Sequence, residues 1–239
     1  MAEGLLCRRL EWDCEFFGFP IARLLPERLD PDRLSAALSW CRAERIRCLY
    51  FLADPDDGQT ARLCAGAGFR SVDVRVTLAR ELEAGLPGPE GRAIRPFASS
   101  DLPALKAIAR VSHVDSRFYH DPGFERSRCD ALYETWLERS CSGFAQAVLV
   151  AEENRRPAGY LTCHQDGDCG RIGLVAVGAG FQGKGLGRAL IQAGLAWFSE
   201  RGVREATVVT QGRNSAALRL YRGAGFTVQS ERDWYHLWF

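Results

Sequence analysis

At 239 residues, with 46% hydrophobic and 26% charged content, the chain has the make-up of an ordinary globular protein: one large domain or two small ones, with ample core. The 31 basic and 30 acidic residues leave a net charge of +1 and no basic block, which argues against nucleic acid and against a polybasic membrane contact. No run approaches the length of a membrane span, and the opening Met1-Ala2-Glu3 lacks the long apolar stretch of a signal peptide.

Residues 1–80 read as a small N-terminal α/β unit. Residues 81–91, rich in Pro and Gly, read as a linker, and 92–239 as the larger unit. A strand begins at Ala93-Ile94-Arg95. Ser99 or Ser100 can cap the helix that carries Leu102, Leu105, Ile108 and Ala109. A loop rich in aromatic and charged residues covers 112–128, and a helix follows with Ala131, Leu132, Trp136 and Leu137 on one stripe. Strands are predicted over 145–152, 157–165 and 171–177, then a glycine-rich turn, a helix over 189–198, a strand over 205–210, a helix after Asn214 and a strand over 227–239. The nine cysteines are odd in number, show no C-x-x-C and lie mostly among apolar residues, so a reduced, cytoplasmic protein without disulfides is expected. Cys163, His164, Asp166 and Cys169 fit no standard zinc spacing; a hairpin turning at Gly167-Asp168 accounts for them, and no metal is expected. The aromatic run 234–239 suits burial against the core or against a second copy, so a homodimer is an open expectation.

The chain contains a faint internal copy. Residues 40–69 match 197–226 at an ungapped offset of 157, from Trp40/Trp197 to Gly66-Ala67-Gly68-Phe69 against Gly223-Ala224-Gly225-Phe226. A period this long means two related half-domains rather than a repeat array. The copies differ where chemistry would sit: Asp57 replaces Asn214, Cys64 replaces Tyr221, and no glycine loop precedes Trp40.

The glycine loop is Gln182-Gly183-Lys184-Gly185-Leu186-Gly187-Arg188, between an apolar strand and a helix. Unpaired amides and the helix dipole make such a junction an anion trap, and glycine lets a phosphate approach the backbone. A Walker A loop fails because Leu186 and Gly187 stand where Lys and Ser/Thr belong. The dinucleotide fingerprint fails because only half of its glycine spacing is present. Q/R-x-x-G-x-G/A fits at Gln182, Gly185 and Gly187; an ordinary strand-to-helix turn is the bland alternative. Downstream, Asn214, Ala217, Tyr221 and Gly225-Phe226 form the pattern N-x-x-A-x-x-x-Y-x-x-x-G-F.

These two motifs, in this order, resemble those of the GNAT-type N-acetyltransferases over residues 92–239. The resemblance implies an α/β fold with a central mixed, largely antiparallel sheet flanked by helices, preceded here by a smaller, degenerate half-domain. It implies acetyl-CoA as co-substrate: its pyrophosphate on Gln182–Arg188, its pantetheine along Leu174, Val175, Ala176 and Val177, with Asn214 and Ala217 beside the arm. It makes Tyr221 the acid that protonates the departing thiolate, chemically sensible because a phenol's pKa of about 10 lies near a thiol's. A backbone N–H on the same strand would stabilise the oxyanion.

Four further segments, Leu10 to Gly18, Ser116-Arg117-Phe118-Tyr119, Trp136-Leu137-Glu138 and Arg171-Ile172-Gly173-Leu174, are similar to the dTDP-fucosamine acetyltransferase group. That similarity implies a small-molecule amine acceptor, the 4-amino group of a dTDP-linked 4-amino-4,6-dideoxy sugar. Arg117, Tyr119 and His120 are then expected at the nucleotide or sugar. His113, Asp115, His120 and Asp121 are base candidates, against a water relay or simple loop charge. Other acceptors (an antibiotic amine, a polyamine, a protein N-terminus) and a non-catalytic acyl-CoA-binding module stay open.

Overall fold

The computed structural model describes residues 5–239. The strands are β1 (Cys7–Arg9), β2 (Ile21–Leu24), β3 (Cys48–Ala53), β4 (Arg70–Glu81), β5 (Ile94–Pro96), β6 (Ala147–Glu153), β7 (Arg156–Asp166), β8 (Cys169–Val177), β9 (Glu205–Gln211) and β10 (Thr227–Trp238). The helices are α1 (Glu11–Phe17), α2 (Pro31–Ala43), α3 (Gly58–Gly66), α4 (Leu102–Ser112), α5 (Arg126–Arg139), α6 (Leu186–Ser199) and α7 (Ser215–Gly223). All ten strands form one sheet, ordered β1-β2-β3-β10-β4-β9-β8-β7-β6-β5. Only β2/β3 and β8/β9 are parallel. The expected mixed, largely antiparallel sheet is therefore present.

Residues 1–80 and 92–239 do not form separate sheets: β4 lies between β10 and β9 and pairs with both. The 82–93 connection is strapped down rather than loose. Leu82 N–H donates to the Arg204 carbonyl at 2.8 Å, and the Ser199 hydroxyl donates to the Glu83 carbonyl at 2.7 Å. At the start of α4 the expected serine cap is absent. Asp101 instead accepts the Ala98 N–H at 2.8 Å and grips Arg95 through two hydrogen bonds, a stronger, charge-assisted arrangement than a hydroxyl offers.

The internal copy is visible element by element. α3, capped by Asp57, corresponds to α7, capped by Asn214, and both end at a glycine with φ +84°, Gly68 and Gly225. The correspondence runs on through the strands that follow: β4 and β10 are antiparallel neighbours, and Arg75 pairs with Arg232, its own counterpart at the 157-residue offset. A pseudo-two-fold axis thus passes through that pair, and each half sends its last strand into the other.

Three apolar clusters cover the sheet. Leu24, Ala37, Phe51 and Leu237 pack under α2 and α3, and Leu161, Leu190, Phe198 and Val208 under α6. Phe17, Tyr50, Phe118, Phe124 and Leu132 gather on the opposite face, under α1, α5 and the 112–125 loop. The aromatic run expected to face the core or a partner lies in β10, an internal strand, with Trp234, His236 and Leu237 buried.

Asp121 pins the loop to that strand. It accepts from His236 Nδ1 at 2.6 Å, from Trp238 Nε1 at 2.9 Å and from the Gly123 amide at 2.9 Å. Burial alone would raise the Asp121 pKa, but these donors outweigh it and hold the carboxylate below its usual range. Burial pushes His236 down to about 4 against the opposing pull of Asp121, and pushes His164 down to about 4 as well. Both histidines are therefore neutral when folded and take up protons more readily when unfolded. Their contribution is complete above the unfolded value of about 6.5 and drains away as pH falls toward 4. Urea unfolding should therefore give a lower free energy at pH 4.5 than at pH 7. An unchanged value would contradict these burial assignments.

Candidate active site

β8 and β9 are hydrogen-bonded from Cys169/Glu205 to Ile172/Val208 and then part. Beyond that point Gly173 to Val177 on one side and Val209 to Gln211 on the other line a cleft of about 560 Å³. The divergence starts at a bulge. Leu161 pairs with Val175 but Cys163 with Ile172, so β8 carries one residue more than β7. Gly173 sits in the bulge because a Cβ there would come within 2.5 Å of His164 and 2.7 Å of Thr162. The Leu174 N–H donates to Thr162 Oγ1 at 2.8 Å, so that amide is already committed and is not the oxyanion donor expected from this strand. Past the bulge, β8 has β7 on one edge and no strand on the other. An extended ligand with amide groups can pair there as a strand would.

The glycine loop stands at the mouth of the opening. Gly183 and Gly185 have φ of +75° and +79°, and Gly185 is the N-cap of α6, so the loop needs glycine to turn its amides outward. Gln182 and Gly187 line the cleft; Leu186 instead is buried under α6, and Arg188 is exposed on the helix. Lys184 reaches back to Glu153 at 3.2 Å, so its charge is partly neutralised within the protein. On the far side, Asn214 caps α7 by accepting the Ala217 N–H at 2.9 Å, and Asn214, Ala217 and Tyr221 all line the cleft. Burial raises the Tyr221 pKa, so the phenol keeps its proton until a strong base meets it. The cleft thus brings together a glycine-capped helix start, an unpaired strand edge and a buried phenol.

The family model for the acetyltransferase (GNAT) family matches residues 109–226, which hold most of the residues lining this cleft. The chain is 29% identical to the dTDP-fucosamine acetyltransferase of Escherichia coli, over 94% of this chain and 95% of that protein. The chain belongs to the GNAT family of acetyl-CoA-dependent N-acetyltransferases. It is also 31% identical to a Bacillus subtilis spore coat polysaccharide biosynthesis protein, over 60% of this chain but only half of that protein's length. A GCN5-related N-acetyltransferase from Sphaerobacter thermophilus shares the fold with a TM-score of 0.68 at 20% identity, covering 97% of this chain and 76% of that one.

The cleft has a second wall, of which sequence reading named only Arg117 as a site residue. Arg75 on β4 and Arg171 on β8 line it with Arg117. Burial and neighbouring arginines lower the Arg75 pKa, and burial lowers that of Arg171. Among the described residues no carboxylate lies within 4.0 Å of any of the three, whereas nearby Arg213 and Arg232 have partners in Asp73 and Glu27. Arg117 lies over the rings of Trp234 and Phe118, each at 4.3 Å, and its buried Nε has no partner.

Tyr119 and His120 do not share this position. Residues 117–120 form a 3₁₀ turn, and with three residues per turn positions 117 and 119 point to different sides. The Tyr119 hydroxyl donates to Asp130 at 2.8 Å, away from the cleft, and His120 is exposed outside its lining. Of the base candidates, His113 and Asp115 line the cleft while Asp121 is sealed against His236. His113 Nε2 is engaged with the Tyr160 hydroxyl at 2.9 Å, and burial lowers its pKa to about 4. A further carboxylate, Asp73, lines the same wall; burial raises it to about 6, although Arg213 stands at 3.6 Å. Sequence reading anticipated Arg117 on this wall and quoted the segment that begins at Arg171, but gave no sign of Arg75.

Proposed function

We propose that the protein transfers the acetyl group of acetyl-CoA to the primary amine of a nucleotide-linked amino sugar, the 4-amino group of a dTDP-4-amino-4,6-dideoxy sugar being the acceptor. The observation that carries the acceptor class is the wall of Arg75, Arg117 and Arg171, none of which has a carboxylate within 4.0 Å among the described residues. Three guanidinium groups without an ion-pair partner favour a multiply charged anion such as a diphosphate, which can use several of them at once. The relative named for dTDP-fucosamine, matched over nearly its whole length, supports the same choice. Asp73 and Arg75 make the N-terminal unit of residues 1–80 part of the acceptor wall in this reading.

Acetyl-CoA supplies the activated acyl carbonyl. The amides of residues 182–188 hold its pyrophosphate, and the free edge at Val175 and Val177 orients its pantetheine arm. As the amine nitrogen bonds to the carbonyl carbon and the carbon–sulfur bond breaks, Tyr221 gives its proton to the sulfur. The proton lost by the amine passes to water, with Asp73 and Asp115 on the same wall. Every residue in this scheme comes from one copy of the chain. The free cysteines suit a reducing, cytoplasmic setting.

Thiol release from acetyl-CoA, measured against a panel of amino-sugar nucleotides, polyamines and aminoglycosides, tests the acceptor class. Turnover on another amine and on no nucleotide sugar would refute it. Within the panel, Arg171→Ala should raise KM for the dTDP amino sugar about tenfold or more and leave KM for acetyl-CoA within about twofold, since one charged hydrogen bond to phosphate is removed. An unaltered acceptor KM would remove Arg171 from the site.

A further inference from the structure

A second cavity, of about 400 Å³, lies beside the acetyl-transfer cleft and shares Arg117, Phe118 and Trp136 with it. None of the functional motifs accounts for its other walls: Trp12 and Asp13 from α1, Arg139 from α5, and Phe144. Arg139 lies 5.6 Å from the Trp12 ring and 5.7 Å from the Phe144 ring, so cation and aromatic surfaces line the space together. Asp13 is its one carboxylate and has no ion-pair partner within 4.0 Å among the described residues. Phe144 is among the few large apolar side chains left about half exposed.

Resting on the nucleotide-sugar reading above, we propose that this cavity is the nucleobase subsite of the acceptor, with the base stacked on the Trp12 and Trp136 side of the cavity and Asp13 accepting an N–H from its edge. Three observations converge. The cavity shares Arg117 with the arginine wall, so a ligand whose diphosphate lies on that wall has the cavity beside it. Flat aromatic walls and a guanidinium suit a planar π-system. Asp13 is half-buried with Arg117 as its charged neighbour and has no ion-pair partner within 4.0 Å, so it can accept an imide N–H like that of thymine or uracil. The order of the sites, Tyr221, arginine wall, aromatic cavity, follows the order amine, diphosphate, base in a nucleotide sugar.

Calorimetric titration of the full chain with dTDP and with inorganic pyrophosphate tests this. The wild type should bind dTDP about tenfold or more tighter than pyrophosphate, the range expected of one stacked base. Trp12→Ala should lose about tenfold in dTDP affinity, with pyrophosphate and acetyl-CoA binding unchanged, and Trp12→Phe should recover most of the loss. If Trp12→Ala does not fold, Phe144→Ala on the exposed rim should show the same selective loss. Equal affinity for dTDP and pyrophosphate in the wild type, or dTDP affinity unaffected by these variants, would overturn the base subsite while leaving the anionic acceptor intact. If neither probe binds, the diphosphate reading of the arginine wall fails, and the base subsite with it.

Discussion

Tyr221→Phe should lower kcat by about 100-fold or more while the dissociation constant for acetyl-CoA changes less than about twofold. The loss is the usual range for removing one positioned acid. The substitution deletes a single oxygen from a side chain whose ring packs in the core beside Phe226, so the fold and the binding cleft are retained. Because burial raises the phenol's pKa, the proton stays on Tyr221 throughout the neutral range, and the rate should not fall with rising pH through ionisation of this group near neutrality. Steady-state kinetics with both substrates varied, beside equilibrium binding of acetyl-CoA, separates the two effects. An unchanged kcat would rule out the acid role, and a parallel loss of affinity would make Tyr221 a binding residue instead.

The second large effect is on stability. Asp121→Ala should lower the unfolding free energy by about 3–5 kcal/mol, because it leaves the His236, Trp238 and Gly123 donors buried without an acceptor. The acceptor wall should suffer too, since Asp121 anchors the loop that presents Arg117. Asp121→Asn keeps one carbonyl acceptor and should lose distinctly less. Urea unfolding of the three proteins at pH 7 gives the comparison; a loss under about 1 kcal/mol for the alanine variant would show that the loop is held by other contacts.

The glycine loop and the Asn214/Tyr221 helix were legible because their parts are local. A glycine turn at a helix start and a capped helix with Tyr221 about two turns past its cap are each written within a dozen residues. The acceptor half was not, because strand pairing assembles it. Arg75 and Arg171 reach one wall only because β4 lies against β9 and β9 against β8, and nothing near either residue announces that register. Trp12, Asp13 and Arg139 meet through α1 and α5, more than 120 positions apart. Tyr119 and His120 misled for a different reason: residue type was suitable, but the short turn at 117–120 sends them elsewhere. Lys184 looked like a phosphate ligand until the β6 side brought Glu153 within reach. The division into two related halves was readable as an offset of 157, while the exchange of their last strands was not.

That exchange has a cost in time. Once β4 has been synthesised, both of its neighbours, β9 and β10, still lie more than 100 residues ahead. A central strand with β-rich sequence must therefore wait, unpaired, while most of the chain is made, and the contacts that close the sheet are of long sequence separation. Such topologies fold slowly and expose strand edges during synthesis. Neither half can finish ahead of the other, so the catalytic cleft and its acceptor wall come into being in the same closing step.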